Sequence, residues 1–126
     1  MTKGDIPGTT SSTPGTDPFE SRMTAPSGAA VVQGLCGAEM EFYLDIDERQ
    51  IITRATYWTP NGCRDTRMCA RAVAECVQGL SIWDALIINP RQVIDAQPEL
   101  SSQGRHCAIL AVTTLYRAIA DYLLKP

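Results

Sequence analysis

The sequence predicts an α+β fold in which helices pack on one face of a small antiparallel sheet. Two observations support this prediction. Residues 29–59 show the alternation and the β-branched composition that are typical of strands, whereas residues 64–124 carry apolar side chains at helical spacing. Strand patterns therefore come first along the chain, and helical patterns follow.

The first 27 residues differ in composition from the rest of the chain. They are rich in Gly, Pro, Ser and Thr and contain few large apolar side chains. Such a segment buries too little apolar surface to offset its conformational entropy. We therefore expect a flexible polar tail over residues 1–27, with a short turn near residues 17–20, and a folded domain over residues 28–126.

A β-hairpin is predicted next, from two strand-like segments that flank a polar turn at residues 47–50. Apolar and more polar residues alternate over residues 40–46, and residues 51–59 are rich in β-branched and aromatic side chains. Residues 29–34 are a candidate third strand. A turn of this length would pair Met40 with Tyr57, Phe42 with Ala55, Leu44 with Thr53, and Ile46 with Ile51.

The remaining segments predict helices. Residues 64–80 carry one apolar stripe at helical spacing, and Gly79 marks its end. Ser81 begins a capping-box-like sequence that predicts a short helix at residues 82–86, and Asn89-Pro90 predicts the start of another. After a polar loop over residues 98–105, the last helical pattern covers residues 107–124.

Composition restricts the function classes. The chain has 126 residues, a formal net charge of −3 and five cysteines. This charge gives no basic surface for nucleic acid or an anionic membrane, and we recognise no apolar run of about 18 residues that would span a bilayer. The N-terminus lacks the apolar core of a secretion signal. An odd cysteine count then favours reduced thiols and a cytoplasmic location.

Three cysteines lie in distinctive settings: Cys36 before Gly37, Cys63 after Gly62, and Cys107 after His106. The hairpin would bring Cys36 and Cys63 to the same end, because one precedes its first strand and the other follows its second. Cys63 and Cys107 lie near predicted helix N-termini, which favour thiolates. Three thiolates suit an iron–sulfur cluster or zinc about equally, with His106 as a candidate fourth ligand.

The remaining cysteines, and a catalytic role for Cys107, have simpler or less favourable interpretations. Cys69 and Cys76 belong to the apolar stripe, so we interpret them as core residues. A thiol enzyme that uses Cys107 with His106 as its base is disfavoured, because neighbouring residues on a helix point about 100° apart.

From about Gly28 onward the chain resembles the NifU/IscU-type iron–sulfur cluster scaffold family. The matching segments are Cys36-Gly37 with Met40, Gly62-Cys63, Val77–Gly79, residues 81–86, His106-Cys107 with residues 108–111, and residues 118–122. The resemblance implies an α+β fold with a three-stranded sheet. It also implies a non-catalytic scaffold that holds a transient [2Fe–2S] cluster or a zinc ion on Cys36, Cys63 and Cys107. Family members receive sulfur from a cysteine desulfurase and pass clusters to apo iron–sulfur proteins. The alternative is a zinc-binding sulfur acceptor or regulatory partner of that desulfurase, with a persulfide on Cys107.

Three departures from the family pattern bear on function. Ala38 stands where the family has an aspartate, so we expect slower cluster release, with His106 or an external ligand completing the site. Gly104 stands where the family has a lysine of a chaperone-docking loop, which argues against docking of that chaperone, with Arg105 as the alternative source of the positive charge. The polar tail replaces an ordered N-terminal segment of the family.

Overall fold

A computed structural model describes residues 17–35 and 37–125. The order of elements is three strands followed by helices, which confirms the predicted α+β class. The strands are β1 (Gly28–Gln33), β2 (Glu39–Ile46) and β3 (Ile52–Trp58). The helices are α1 (Arg64–Val77), α2 (Ile82–Ala85), α3 (Pro90–Asp95) and α4 (Arg105–Leu124), and a 3-10 turn at Ser102–Gly104 precedes α4.

The three strands form one antiparallel sheet in the order β1-β2-β3. The predicted pairing of β2 with β3 is wrong by two residues, because Phe42 lies opposite Tyr57 and Leu44 opposite Ala55. The cause is a longer turn than expected. The Asp47 carboxylate accepts from the backbone N–H of Ile51 at 2.9 Å, and the register shifts between Asp45 and Ile46. A shift of two leaves each side chain on its predicted face.

The core lies between one face of the sheet and the helices α1 and α4. Met40, Phe42 and Leu44 are fully buried on that face. The α1 stripe faces them, and its Cys69 and Cys76 are buried as predicted. Burial of these apolar faces stabilises the domain by about 25 cal/mol per Å² of apolar surface removed from water.

Capping fixes the short helices as the sequence predicted. The Ser81 hydroxyl accepts from the Asp84 backbone N–H at 3.1 Å, and this contact begins α2. At α3, Asn89 and Gln92 form a complete capping box, and Pro90 occupies the first turn.

Residues 17–27, called the N-terminal strap below, contact the folded domain although they belong to the predicted polar tail. The Tyr57 backbone N–H donates to the Phe19 carbonyl at 2.8 Å, so the strap pairs with the outer edge of β3. The Arg22 guanidinium binds both oxygens of Glu41 at 3.0 Å and lies over the ring of Trp58. Because the N-terminal strap bonds to β2 and β3, the packed part of the chain begins upstream of residue 28. The flexibility of the tail stays a prediction, and its residues 1–16 lie outside the described part of the chain.

Helix α4 is the long central helix of the domain. Together with the 3-10 turn, it forms the segment Ser102–Leu124, which is long and apolar enough to cross a membrane by length and composition. The expectation that no segment approaches this length is therefore wrong by this criterion, because a few polar residues interrupt an otherwise apolar helix. Half of the tested window is buried inside the domain, as in the core helix of a globular fold. Its N-terminal turn carries His106 and Cys107, and its C-terminal end lies beside β1, where a Cβ at Gly28 would contact the Ala118 carbonyl.

Candidate thiol site

Cys63 is the N-cap residue of α1. The preceding Gly62 lies so close to the loop and helix that a Cβ there would be 2.5 Å from the Thr59 hydroxyl and 2.9 Å from the Thr66 methyl. Glycine is therefore required at this position for steric reasons. The close contact fixes where the chain turns into α1, and so where the Cys63 thiol lies.

The start of α1 also tunes the Cys63 thiol, which is exposed. Its partial burial opposes ionisation and raises the pKa, as does the Asp65 carboxylate. Hydrogen bonds from the Thr66 hydroxyl and from the backbone N–H groups of Thr66 and Asp65 together outweigh both effects and lower the pKa. Among the described cysteines, Cys63 is exposed and the others are buried, and its lowered pKa favours the thiolate that acts as a nucleophile or a metal ligand.

Cys107 and Cys63 both contact a third residue, Thr66. Helix α4 begins at Arg105, two residues earlier than the sequence predicted, so Cys107 lies in its first turn and is only 2% exposed. The Thr66 hydroxyl oxygen is 3.3 Å from the Cys63 sulfur and 3.5 Å from the Cys107 sulfur. The structure therefore brings two of the predicted site cysteines to one hydroxyl.

Cys36 itself lies outside the described residues, but the residues around it are tied to the Cys63 loop. The Asn61 side chain accepts from the Glu39 backbone N–H at 2.9 Å and donates to the Gly37 carbonyl at 3.1 Å. Gly37 has a φ of 88°, a conformation that glycine adopts without strain. Gly37 and Glu39, which follow Cys36 in the sequence, are thus held against the loop that leads into Cys63.

His106 is half-buried in the first turn of α4, directly before Cys107. Within residues 17–35 and 37–125, no group of three or more His, Cys, Asp or Glu side chains is arranged to hold a metal ion. Since Cys36 is not among those residues, the ligand set of Cys36, Cys63, Cys107 and His106 stays a prediction. Soft thiolates at the end of the hairpin remain suited to iron or zinc.

A tether joins the loop before Cys107 to the first turn of α1. The Ser101 hydroxyl donates to the Asp65 carboxylate at 2.7 Å. A Cβ at Gly104 would lie 2.4 Å from the same carboxylate oxygen, so the bare backbone of Gly104 makes room for Asp65. This contact places the start of α4, and with it Cys107, beside α1.

Sequence reasoning missed the three side chains that connect these loops: Asn61, Asp65 and Thr66. Only Asn61 had a local signal, because Asn-Gly marks a turn. Asp65 and Thr66 act on partners that lie more than thirty residues away in sequence, at Ser101 and Cys107. Such contacts leave no local pattern.

These features define a small α+β domain with an open-edged antiparallel sheet, in which the Cys63 and Cys107 sulfurs both contact the Thr66 hydroxyl. Comparison with known proteins gives a consistent result. Residues 17–126 match the family described as NifU-like N terminal domain. The chain belongs to this family.

Similar proteins include bacterial and archaeal relatives. The iron-sulfur cluster assembly scaffold protein IscU of Haemophilus influenzae is 33% identical over 90 residues, which cover 71% of this chain and 70% of that protein. The IscU of Escherichia coli is 32% identical, with 71% and 69% covered. One IscU of Archaeoglobus fulgidus is 32% identical over 93 residues, with 72% and 58% covered. The resemblance stated from the sequence is confirmed.

Proposed function

We propose that this protein is a scaffold that assembles a transient [2Fe–2S] cluster and delivers it to apo-proteins, without catalytic turnover. The ligands would be Cys36, Cys63 and Cys107, with His106 as the fourth. The observation that carries the proposal is the convergence of the Cys63 and Cys107 sulfurs on the Thr66 hydroxyl, at 3.3 and 3.5 Å. The relatives named above as cluster assembly scaffolds support it.

The two described thiols differ in solvent exposure, which suits a cluster that is assembled on the protein and then transferred. Cys63 is exposed, whereas Cys107 is buried. A cluster held between them would have one face toward a donor or an acceptor protein and one face in the domain. Thiolates are the usual ligands of iron–sulfur clusters, and an exposed face would give a partner protein access to the cluster.

The partners follow from this role. A cysteine desulfurase would supply the sulfur, and apo iron–sulfur proteins would take the cluster, in the cytoplasm. Docking of the dedicated chaperone is not proposed. Gly104, at the position of the family lysine, is buried and packs against Asp65 of α1. This part of the loop therefore faces α1 and does not offer a side chain to a chaperone.

Cluster transfer tests the proposal. The protein is reconstituted anaerobically with iron and sulfide, and then mixed with an apo-ferredoxin whose circular dichroism reports cluster arrival. We expect transfer by the wild type and by Cys76→Ser, because Cys76 is a core residue of α1. Cys63→Ser and Cys107→Ser are expected to lose transfer. Transfer that survives in both of these variants would refute the proposed ligands.

A second candidate function is a zinc-binding sulfur acceptor or regulatory partner of the desulfurase. The exposed Cys63, with its lowered pKa, favours this function, because a thiolate attacks the outer sulfur of a donor persulfide and releases the donor as a thiol. The sequence placed the persulfide on Cys107, which is 2% exposed. Intact-mass measurement after incubation with a desulfurase and cysteine, on Cys63→Ser and Cys107→Ser, tells which thiol gains the sulfur atom. Zinc without any cluster after reconstitution would favour this candidate over the scaffold.

A further inference from the structure

One buried hydroxyl stands between the two described thiols of the site. Thr66 has 0% exposure, and its Oγ1 contacts both the Cys63 sulfur and the Cys107 sulfur. These sulfurs belong to residues that are far apart in sequence. Thr66 therefore links the two sulfurs through a single hydroxyl group.

The position of this hydroxyl is set by packing on both sides. Its methyl group lies against Gly62, where a Cβ would be 2.9 Å away, so the Cys63 loop closes directly on Thr66. On the other side, the bond from Ser101 to Asp65 holds the start of α4 against the same turn of α1. Two independent contacts thus bring each thiol to Thr66.

We propose that Thr66 is a positioning residue of the thiol site, whose hydroxyl holds the Cys63 and Cys107 sulfurs in place for metal binding. This inference rests on the proposed function and adds to it a residue that is not itself a ligand. A hydroxyl has one proton and two lone pairs, so it donates to one sulfur and accepts from the other when that sulfur carries a proton. When both sulfurs bind metal, it keeps its donor bond to one of them.

Hydrogen bonds to metal ligands orient those ligands, and removing such a bond typically lowers metal affinity by about 10–100-fold. Thr66→Val has nearly the same shape as the wild type and lacks only the hydroxyl. Thr66→Ser keeps the hydroxyl and lacks the methyl. The pair separates hydrogen bonding from packing. Thr114→Val is the matched control, because Thr114 is also a fully buried threonine, and its hydroxyl donates to the Leu110 carbonyl at 2.6 Å, seven residues along α4 from Cys107.

The test is Co²⁺ titration of the full-length, metal-free protein, followed by the sulfur-to-cobalt charge-transfer absorption. We expect Thr66→Val to bind Co²⁺ about tenfold more weakly than wild type. We expect Thr66→Ser to restore affinity to within about threefold, and Thr114→Val to remain near wild type. Raman spectra of the metal-free protein give a second readout. The S–H stretching band should shift in Thr66→Val and stay in place in Thr66→Ser, provided that far-ultraviolet circular dichroism shows each variant folded.

The outcomes separate the inference from the proposed function. Wild-type affinity in Thr66→Val, or equal loss in the valine and serine variants, would overturn the positioning role and leave the scaffold function standing. An equal loss in Thr114→Val would overturn it too, because the loss of any buried threonine hydroxyl would then explain the effect. Failure of the wild type to bind Co²⁺ through sulfur would contradict both proposals. Normal Co²⁺ binding without cluster transfer would contradict the scaffold function alone.

Discussion

Replacing Asn61 with alanine removes the two hydrogen bonds that hold Gly37 and Glu39 against the Cys63 loop. The bonds run from the Glu39 N–H to the Asn61 carbonyl oxygen, at 2.9 Å, and from the Asn61 amide to the Gly37 carbonyl, at 3.1 Å. Because Asn61 is exposed, water competes for these groups, and we take the lower part of the usual range. The expected loss is about 1 kcal/mol of unfolding free energy, or about 4–6 °C in Tm.

Asn89→Ala is the matched control. Asn89 is also an exposed asparagine whose side chain accepts a backbone hydrogen bond, from Gln92 at 3.0 Å, but it caps α3 away from the thiol site. Its loss should cost a similar free energy, about 1 kcal/mol. Thermal unfolding followed by circular dichroism compares the two variants with wild type in the absence of metal.

Co²⁺ affinity then distinguishes a local effect from a general one. We expect Asn61→Ala to bind Co²⁺ about tenfold more weakly, because Gly37 and Glu39, which follow the predicted ligand Cys36, are no longer bonded to the Cys63 loop. Asn89→Ala should bind like wild type despite its lower Tm. Unchanged affinity in Asn61→Ala would refute the claim that this tether organises the site. Equal weakening in both variants would show that general stability, and not the tether, controls metal binding.

Three further predictions concern other parts of the site and core. Ala38→Asp should lower the Tm of the metal-free protein, because Ala38 is buried, and should speed cluster transfer to an apo-protein; equal transfer rates would contradict the expected role of Ala38. Gly104→Ala should displace the Asp65 carboxylate and cost about 1 kcal/mol, but less in an Asp65→Ala background; additive costs in the double-mutant cycle would exclude the contact. The pKa of Cys69 is raised to about 12, mainly by burial and further by the charges of Cys107, Asp65 and Cys63. In the unfolded chain this thiol ionises near pH 8.5, whereas in the folded chain it keeps its proton to a higher pH. Stability should therefore fall as pH rises above about 8.5, and urea midpoints of Cys69→Ala should fall less steeply; parallel curves would argue against it.

The sequence allowed the order and type of the elements to be predicted, because their signals are local. Alternation gave β2, the apolar stripe gave α1, and Ser81 and Asn89 marked two helix starts through their own side chains. The two glycine-flanked cysteines were placed at the same end of the hairpin for the same reason. Antiparallel pairing brings the ends of a hairpin together whatever its register.

The register of β2 with β3 depends on the length of the turn between them, which the composition of the turn does not indicate. Gln50 adopts a φ of 64°, and the Asp47 carboxylate accepts backbone hydrogen bonds across the loop. A polar stretch of this kind is compatible with turns of several lengths. The pairing of β2 with β3 could therefore be predicted only to within a multiple of two, from the burial of alternate residues.

Contacts between distant segments were also beyond prediction. Arg22 of the N-terminal strap lies in a segment whose composition resembles a flexible tail, and its partner Glu41 is a charged residue of β2. Burial of that carboxylate depends on the strap covering it. The role of Thr66 likewise depends on α4 packing against α1, which the pattern of neither helix specifies.

The cysteine site itself is tested most directly by iron and sulfide analysis, with visible spectra, on anaerobically reconstituted protein. We would compare wild type with Cys36→Ser, Cys63→Ser, Cys107→Ser and the core control Cys69→Ser. The site proposed here predicts stoichiometric iron and sulfide with charge-transfer bands in wild type and Cys69→Ser, and loss of both in the other three. Full cluster content in any of those three, or no cluster in the wild type, would contradict it.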